Sequence, residues 1–176
     1  MRVVTYPDEV AEAIRDLVWE ELGEELGLQR CQQDQFEGFP LADLAARLPA
    51  VIVRAGRSPA PEPDIPEYQV RGSLQSWRVT YSVDVIYAQE LAEDGEPNRD
   101  LNRAGGRIRD LFLQGGCLAD LSPGPGFRLD AVRPGDYDPH SGRLALDSRS
   151  VWLGEVHIPV TVETVAYPTE QHEEVG

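Results

Sequence analysis

The stretches WRVTYSVDVIY, at residues 77–87, and SVWLGEVHIPVTVETVA, at residues 150–166, alternate between apolar and polar side chains. Successive side chains of a β-strand point to opposite faces of its sheet, so this period of two predicts strands with one buried and one solvent-facing side. Two half-buried strands of this kind are typical of an antiparallel sheet. The predicted buried positions are Val79, Tyr81, Val83, Val85 and Tyr87 in the first stretch, and Val156, Ile158, Val160, Val162 and Thr164 in the second.

Pro159 falls in the middle of the second stretch. Proline has no backbone N–H to donate to a ladder, so at least part of this strand is predicted to lie at a sheet edge or a bulge. A sheet edge can accept a strand from another chain. Because tryptophan is enriched at binding hot spots, Trp152 is the predicted interface anchor beside that edge.

A first helix is predicted to start near Thr5, where Thr5 and Asp8 have the spacing of a capping box and Pro7 fits a first turn. Gly23 and Gly27 are expected to end it. Acidic residues near that end oppose the helix dipole, so they are expected to face water or a basic partner. These acids are Glu20, Glu21, Glu24 and Glu25, and the apolar positions of the helix are Val10, Ile14, Leu17, Val18 and Leu22.

A second helix is predicted over residues 97–114, with Leu101, Ala104, Ile108, Leu111 and Phe112 on its apolar stripe. Two consecutive glycines at positions 105 and 106 each cost about 1 kcal/mol relative to alanine. We expect a close approach of this helix to the sheet to compensate for that cost.

Three arginines of the second helix, Arg99, Arg103 and Arg107, recur every four residues, and we name them the arginine ridge. One interpretation is a solvated helix face with local ion pairs. The other is a basic surface that docks on an acidic patch of a neighbouring copy, which is noteworthy in a chain of formal net charge −15.

These elements predict an α+β fold, in which a mixed, mostly antiparallel sheet is packed by the N-terminal helix and the central helix. Residues 1–168 are expected to form one domain, with a stiff Pro-rich arm at residues 57–66, and residues 169–176 to form an acidic flexible tail. Further predicted elements are a helix at Leu41–Leu48 and strands at Ala50–Arg54, Tyr68–Ser73, Phe127–Arg133 and Arg143–Leu146.

Composition excludes several functional classes. Thirty-one acidic residues stand against 16 basic ones, all of them arginine, so phosphate backbones are repelled and sequence-specific nucleic acid binding is not expected. Without lysine there is no Schiff base and no P-loop lysine. Two distant cysteines, Cys31 and Cys117, predict free thiols. The sequence shows no membrane span and no secretory leader, so synthesis in the cytoplasm is expected.

The strongest metal candidate is the set Asp136, Asp138, His140 and Asp147, which imitates an EF-hand loop. His140 occupies an oxygen-ligand position, and Gly142 comes one place late, so a polar hairpin loop explains the segment better. No histidine lies beside a nucleophile motif. We therefore expect no enzyme activity, no bound metal and no cofactor.

The predicted N-terminal helix and four segments after it together resemble the tail terminator, or tail completion, proteins of tailed bacteriophages. The segments are LPAVIVRA (48–55), WRVTYSVDVIYA (77–88), NRDLNRAGGRIRDLFLQ (98–114) and VWLGEVHIPVTVETV (151–165). The resemblance covers about residues 5–167. It implies a non-enzymatic virion subunit that forms a ring, typically hexameric, on the head-proximal end of the tail tube. The implied partners are further copies, the tail tube protein and the head–tail connector, while DNA passes through the lumen without sequence-specific binding.

The resemblance also leads us to expect ring contacts in four places. They are the arginine ridge, an acidic loop with Glu93, Asp94 and Glu96, the Pro-rich arm with Pro61 and Pro63, and Trp152. Three alternatives stay open. They are another neck, connector or sheath-contacting subunit, a cellular binding module with a pocket near Trp77 or Tyr81, and a metal-dependent enzyme built on Asp136, Asp138 and His140.

Overall fold

The two alternating stretches form neighbouring central strands of one sheet. The computed structural model describes residues 7–34, 47–56, 62–64, 76–92, 99–114, 118, 127–146 and 149–166. Over these ranges the elements in chain order are α1 (Pro7–Leu22), β1 (Arg30–Asp34), β2 (Ala50–Ala55), β3 (Glu62–Asp64), β4 (Ser76–Leu91), α2 (Arg99–Leu113), β5 (Phe127–Pro134), β6 (Asp138–Leu146) and β7 (Arg149–Ala166).

The sheet is built outward from the antiparallel pair β4 and β7, whose register runs from Trp77 opposite Ala166 to Leu91 opposite Trp152. β2 and β3 share the outer side of β4, and β5 and β6 share the outer side of β7. β1 lies beyond β2 and is parallel to it. This mixed, mostly antiparallel sheet with two helices confirms the predicted α+β fold.

Both helices pack on the same face of the sheet. α1 lies over β1, β2 and β4, whereas α2 lies mainly over β7 and β5. The predicted inward positions of β4 and β7 are buried between sheet and helices, as are the apolar stripes of the helices. Burial of one such side chain contributes about 1.5–3 kcal/mol, so this layer holds the fold together. Neither α1 nor α2 is long and apolar enough to cross a membrane.

β7 is a central strand, so the prediction that Pro159 marks a sheet edge is wrong. The Gly135 N–H donates to the Pro159 carbonyl at 2.7 Å, which shows that the backbone polar atoms of Pro159 face the β5–β6 side. There, residues 135–137 separate β5 from β6. The missing N–H of Pro159 therefore faces the break between β5 and β6, where no strand residue needs it, and the register irregularity of this side lies elsewhere, between Leu129 and Ala131.

The predicted end of the first helix is confirmed, because α1 ends at Leu22, directly before Gly23, and Gly27 in the turn that follows has a left-handed φ of 61°. Other predicted element boundaries need correction. β6 begins at Asp138, five residues before the predicted strand, and β1 was not predicted because its sequence RCQQD shows no alternation of polarity. The predicted strand at Tyr68–Ser73 and most of the predicted helix at Leu41–Leu48 lie outside the described residues.

The two glycines of α2 have different surroundings. A Cβ at position 105 would lie 2.8 Å from Val156 Cγ1 and 3.0 Å from Tyr137 Cε2, whereas one at position 106 would have its nearest neighbour, the Tyr137 hydroxyl, at 3.5 Å. Gly105 therefore permits the predicted close approach of α2 to β7. Gly106 has no such close neighbour, so a glycine at this position only lowers the stability of the helix.

Gly105→Ala and Gly106→Ala should change stability in opposite directions. The first should lower the free energy of unfolding by about 1–3 kcal/mol, because Val156 is stiff and buried and cannot yield. The second should raise it by up to about 1 kcal/mol through helix propensity. Urea denaturation of both variants measures the difference, and equal effects would contradict the close approach of α2 to β7.

Candidate interaction surfaces

The arginine ridge lies on the solvent side of α2. Arg99 and Arg103 are exposed, while Arg107 donates from Nε and Nη2 to the two carboxylate oxygens of Glu25 at 2.7 and 2.8 Å. The Arg107 guanidinium holds the pKa of the Glu25 carboxyl below its usual value. Arg107 is thus engaged within the chain, by an ion pair with a residue distant in sequence and not by the local pairs of the first interpretation, and the outer part of the ridge is formed by Arg99 and Arg103.

α1 presents an acidic surface around one tryptophan. Trp19 is 46% exposed, and every other exposed residue of α1 is Asp or Glu. Arg15, which is half-buried, bonds to Asp16 at 2.7 Å and Glu12 at 3.3 Å. Four of the acids follow one another at four-residue spacing and continue at Glu24 in the turn beyond the helix. This acidic stripe consists of Asp8, Glu12, Asp16, Glu20 and Glu24.

Sequence reasoning noticed acids at the end of α1 but missed the stripe. The signal was present in the spacing, because residues four apart lie on the same side of a helix. The ridge on α2 has the same spacing and the opposite sign. The helical layer therefore carries two exposed, oppositely charged stripes, one over each half of the sheet.

A histidine network lies on the face of the sheet opposite the helices, which we name the open face. Part of this face is buried, because a second apolar cluster lies there, formed by Ala50, Ile52, Ile86, Ala88 and Leu153. His157 Nδ1 lies 3.3 Å from Asp84 Oδ2, and His157 Nε2 lies 3.4 Å from Glu155 Oε2. These hydrogen bonds, first that to Asp84 and then that to Glu155, raise the pKa of His157 to about 9. The His140 ring packs edge-on to the His157 ring, with 6.1 Å between centroids. The arrangement joins β4 to β7 by a charge-assisted contact and β7 to β6 by a ring contact.

The metal hypothesis receives no support from the described residues. Asp138 and His140 lie in strand β6, not in the predicted hairpin loop, and they pair in register with His157 and Glu155. Asp136 precedes that strand, and Asp147 lies outside the described residues. Over the described ranges, no three His, Cys, Asp or Glu residues are grouped so as to hold a metal ion.

Cys31 is a half-buried thiol that donates from Sγ to the Arg15 carbonyl at 3.4 Å. Burial raises its pKa to about 12. A thiol with so little thiolate at neutral pH is a poor nucleophile, which agrees with the predicted free, structural thiol. Cys117 lies outside the described residues.

The remaining predicted contact residues fall in three places. Trp152 is half-buried in the central strand β7, packs against the main core and lies between Leu91 of β4 and Arg143 of β6. Pro63 lies in β3 opposite Trp77. The predicted contact residues Pro61, Glu93, Asp94 and Glu96 lie outside the described residues.

The sheet edge formed by β5 and β6 carries Pro134 and Pro139. The backbone N–H and carbonyl of His157 face β6, on the side that the Pro159 carbonyl also faces, because the two residues are two positions apart. Asp138, which pairs with His157, therefore turns its backbone polar atoms toward β7, and the next residue, Pro139, turns its nitrogen to the outer side. In the same way, Arg133 pairs with Thr161 and faces β7, so the nitrogen of Pro134, the next residue, also lies on the outer side. Prolines in edge strands discourage another chain from adding a strand.

The pH dependence of stability should report the histidine network. The folded pKa of His157, about 9, exceeds its ordinary value of 6.5, so its stabilising contribution is complete below pH 6.5 and is lost as the pH rises through 9. Because the contacts are partly exposed and screened, the free energy of unfolding should fall by about 1 kcal/mol over that range. His157→Gln should abolish this part of the fall in urea titrations, whereas His140→Gln should retain it. A parallel pH profile for wild type and His157→Gln would exclude the contribution.

Comparison with known proteins finds no family model and no curated protein that matches this chain. The surfaces available to indicate a function are thus the oppositely charged stripes of the helical layer and the histidine network of the open face.

Proposed function

We propose that this chain is a structural virion subunit, a tail terminator of a tailed bacteriophage, which forms a ring on the head-proximal end of the tail tube. The observation that carries the proposal is the spatial adjacency of the four segments behind the resemblance. The first includes β2, the second most of β4, the third α2, and the fourth most of β7. β2, β4 and β7 are consecutive neighbours in the sheet, and α2 packs on β7.

The charge of the chain supports the same role. A formal net charge of −15 repels the phosphates of DNA, which suits a subunit around a lumen through which DNA must pass without sticking. The same charge opposes non-specific association between copies, so contacts between copies need locally complementary surfaces. The exposed arginines on α2 and the acids on α1 supply both signs on one molecule.

The proposal includes the partners and the location that the resemblance implies. The ring contacts the tail tube on one side and the head–tail connector on the other, and the subunit is made in the host cytoplasm before it enters the virion. Its work is assembly, with no catalytic step. The rival binding module would need a pocket near Trp77 or Tyr81. Tyr81 is 1% exposed within the core, whereas Trp77 is half-buried near the start of β4.

Light scattering and electron microscopy of one purified fraction test the proposal. We expect closed rings of several copies, or subunits that close into rings when phage tail tubes are added, with the rings seated on one end of the tubes. A chain that stays monomeric or dimeric and leaves the tubes uncapped would exclude the terminator function. The tail tube alone, imaged under the same conditions, is the control.

A further inference from the structure

We infer that the acidic stripe of α1 docks on the arginine ridge of α2 in a second copy of this chain. The inference builds on the proposed function, since it names the joint between ring subunits. It starts from the exposed acids of α1 and the exposed Arg99 and Arg103 of α2.

The acidic stripe is costly for an isolated helix. Like charges at four-residue spacing destabilise a helix by about 0.2–0.5 kcal/mol per pair, and α1 holds three such pairs among Asp8, Glu12, Asp16 and Glu20. Its last turn contains no basic residue to offset the dipole. Arg15 compensates locally for Glu12 and Asp16, which leaves Glu20 and Glu24 at the far end.

The arginine ridge is unfavourable for α2 for the same two reasons, repulsion between like charges and an adverse helix dipole, with positive charge in place of negative charge. Arg99 stands in the first turn of α2, where the helix dipole disfavours a cation, and it repels Arg103 one turn later. The Glu25–Arg107 pair shows the contact that satisfies such a residue, with one carboxylate accepting two hydrogen bonds from the guanidinium. Arg103 also helps to lower the pKa of Glu25 by its charge, and the exposed guanidiniums of Arg99 and Arg103 offer the same chemistry to acids of another molecule.

The acidic stripe and the arginine ridge have the same spacing between charges. Both repeat every four residues, which is about 6 Å along a helix, so acids and guanidiniums can meet in register over two turns. Trp19 stands between Asp16 and Glu20 in sequence and adds a large apolar contact at the rim of the charges. A second copy is therefore a partner whose charge spacing complements the stripe.

The sheet offers a weaker alternative joint. Its β5–β6 edge is blunted by Pro134 and Pro139, and the histidine network on its open face pairs its own charges. On the helical layer, α1 lies over the β1–β2 half and α2 over the β7–β5 half. Each copy thus carries one stripe of each sign on separate halves, which permits head-to-tail contact that closes into a ring.

Two charge-reversal variants test the joint. The first is Glu20→Arg with Glu24→Arg, and the second is Arg99→Glu with Arg103→Glu. Each relieves an unfavourable helix-dipole interaction, so the first should fold with an unchanged or higher melting temperature. In the second, Arg103→Glu also places a like charge near Glu25, so its melting temperature should stay close to that of wild type, with the dipole gain offsetting that repulsion. Each alone should self-associate at least about tenfold more weakly than wild type in sedimentation equilibrium at low salt, because like charges then face each other. An equimolar mixture of the two should associate again, since their surfaces are complementary.

The control is Glu21→Arg with Glu90→Arg, which changes the net charge by the same amount as the first variant. Glu21 is an exposed residue of α1 outside the stripe, and Glu90 is exposed on the open face. This control should associate at least as well as wild type. Four results would each overturn the inferred joint. They are loss of association in the control, no loss in either reversal variant, no recovery of association on mixing, and a wild-type chain that never self-associates.

The same experiment separates the joint from the proposed function. Rings that persist in both reversal variants would keep the terminator proposal and exclude this joint. Two-fold dimers that depend on both stripes would confirm the pairing, because one dimer can satisfy both stripes at once, and would exclude the ring.

Discussion

The antiparallel ladder between β4 and β7 is the constraint on which the rest of the structure depends. It runs without a register shift from the Trp77–Ala166 pair to the Leu91–Trp152 pair. Because the register is continuous, every second residue of both strands lies under the helices, and a slip of one residue would move that whole apolar set to the open face. The ladder also fixes where Asp84 meets His157, and it places Val156 beneath Gly105.

The period of two and the apolar stripes of the helices made the fold predictable from sequence, because each depends on local spacing alone. Pro159 misled the prediction of an edge, since its tolerance depends on a break between β5 and β6 far away in sequence. β1 escaped prediction because its residues are polar and its position depends on pairing with β2.

The surface features divide in the same way, into those that spacing along one element indicates and those that depend on distant contacts. The arginine ridge follows from spacing within one helix, and so would the acidic stripe have followed. The pairing of Arg107 with Glu25, and of His157 with Asp84, depends on which strands and helices become neighbours. Residues 82 and 73 positions apart in sequence meet in these contacts, and no local pattern indicates them.

The two layers of the molecule treat charge differently, and that difference directs the search for a partner to the helices. On the open face, opposite charges are interleaved: Asp84 and Glu155 flank His157, and Arg133 contacts Glu163 at 3.2 Å. On the helical layer, like charges are collected into stripes at a cost to each helix. Part of this charge is compensated within the chain, where Arg15 bonds to Glu12 and Asp16 and Arg107 bonds to Glu25, and the inferred joint would compensate the remainder from a second copy. The complementary surface is already encoded on the other helix of the same chain.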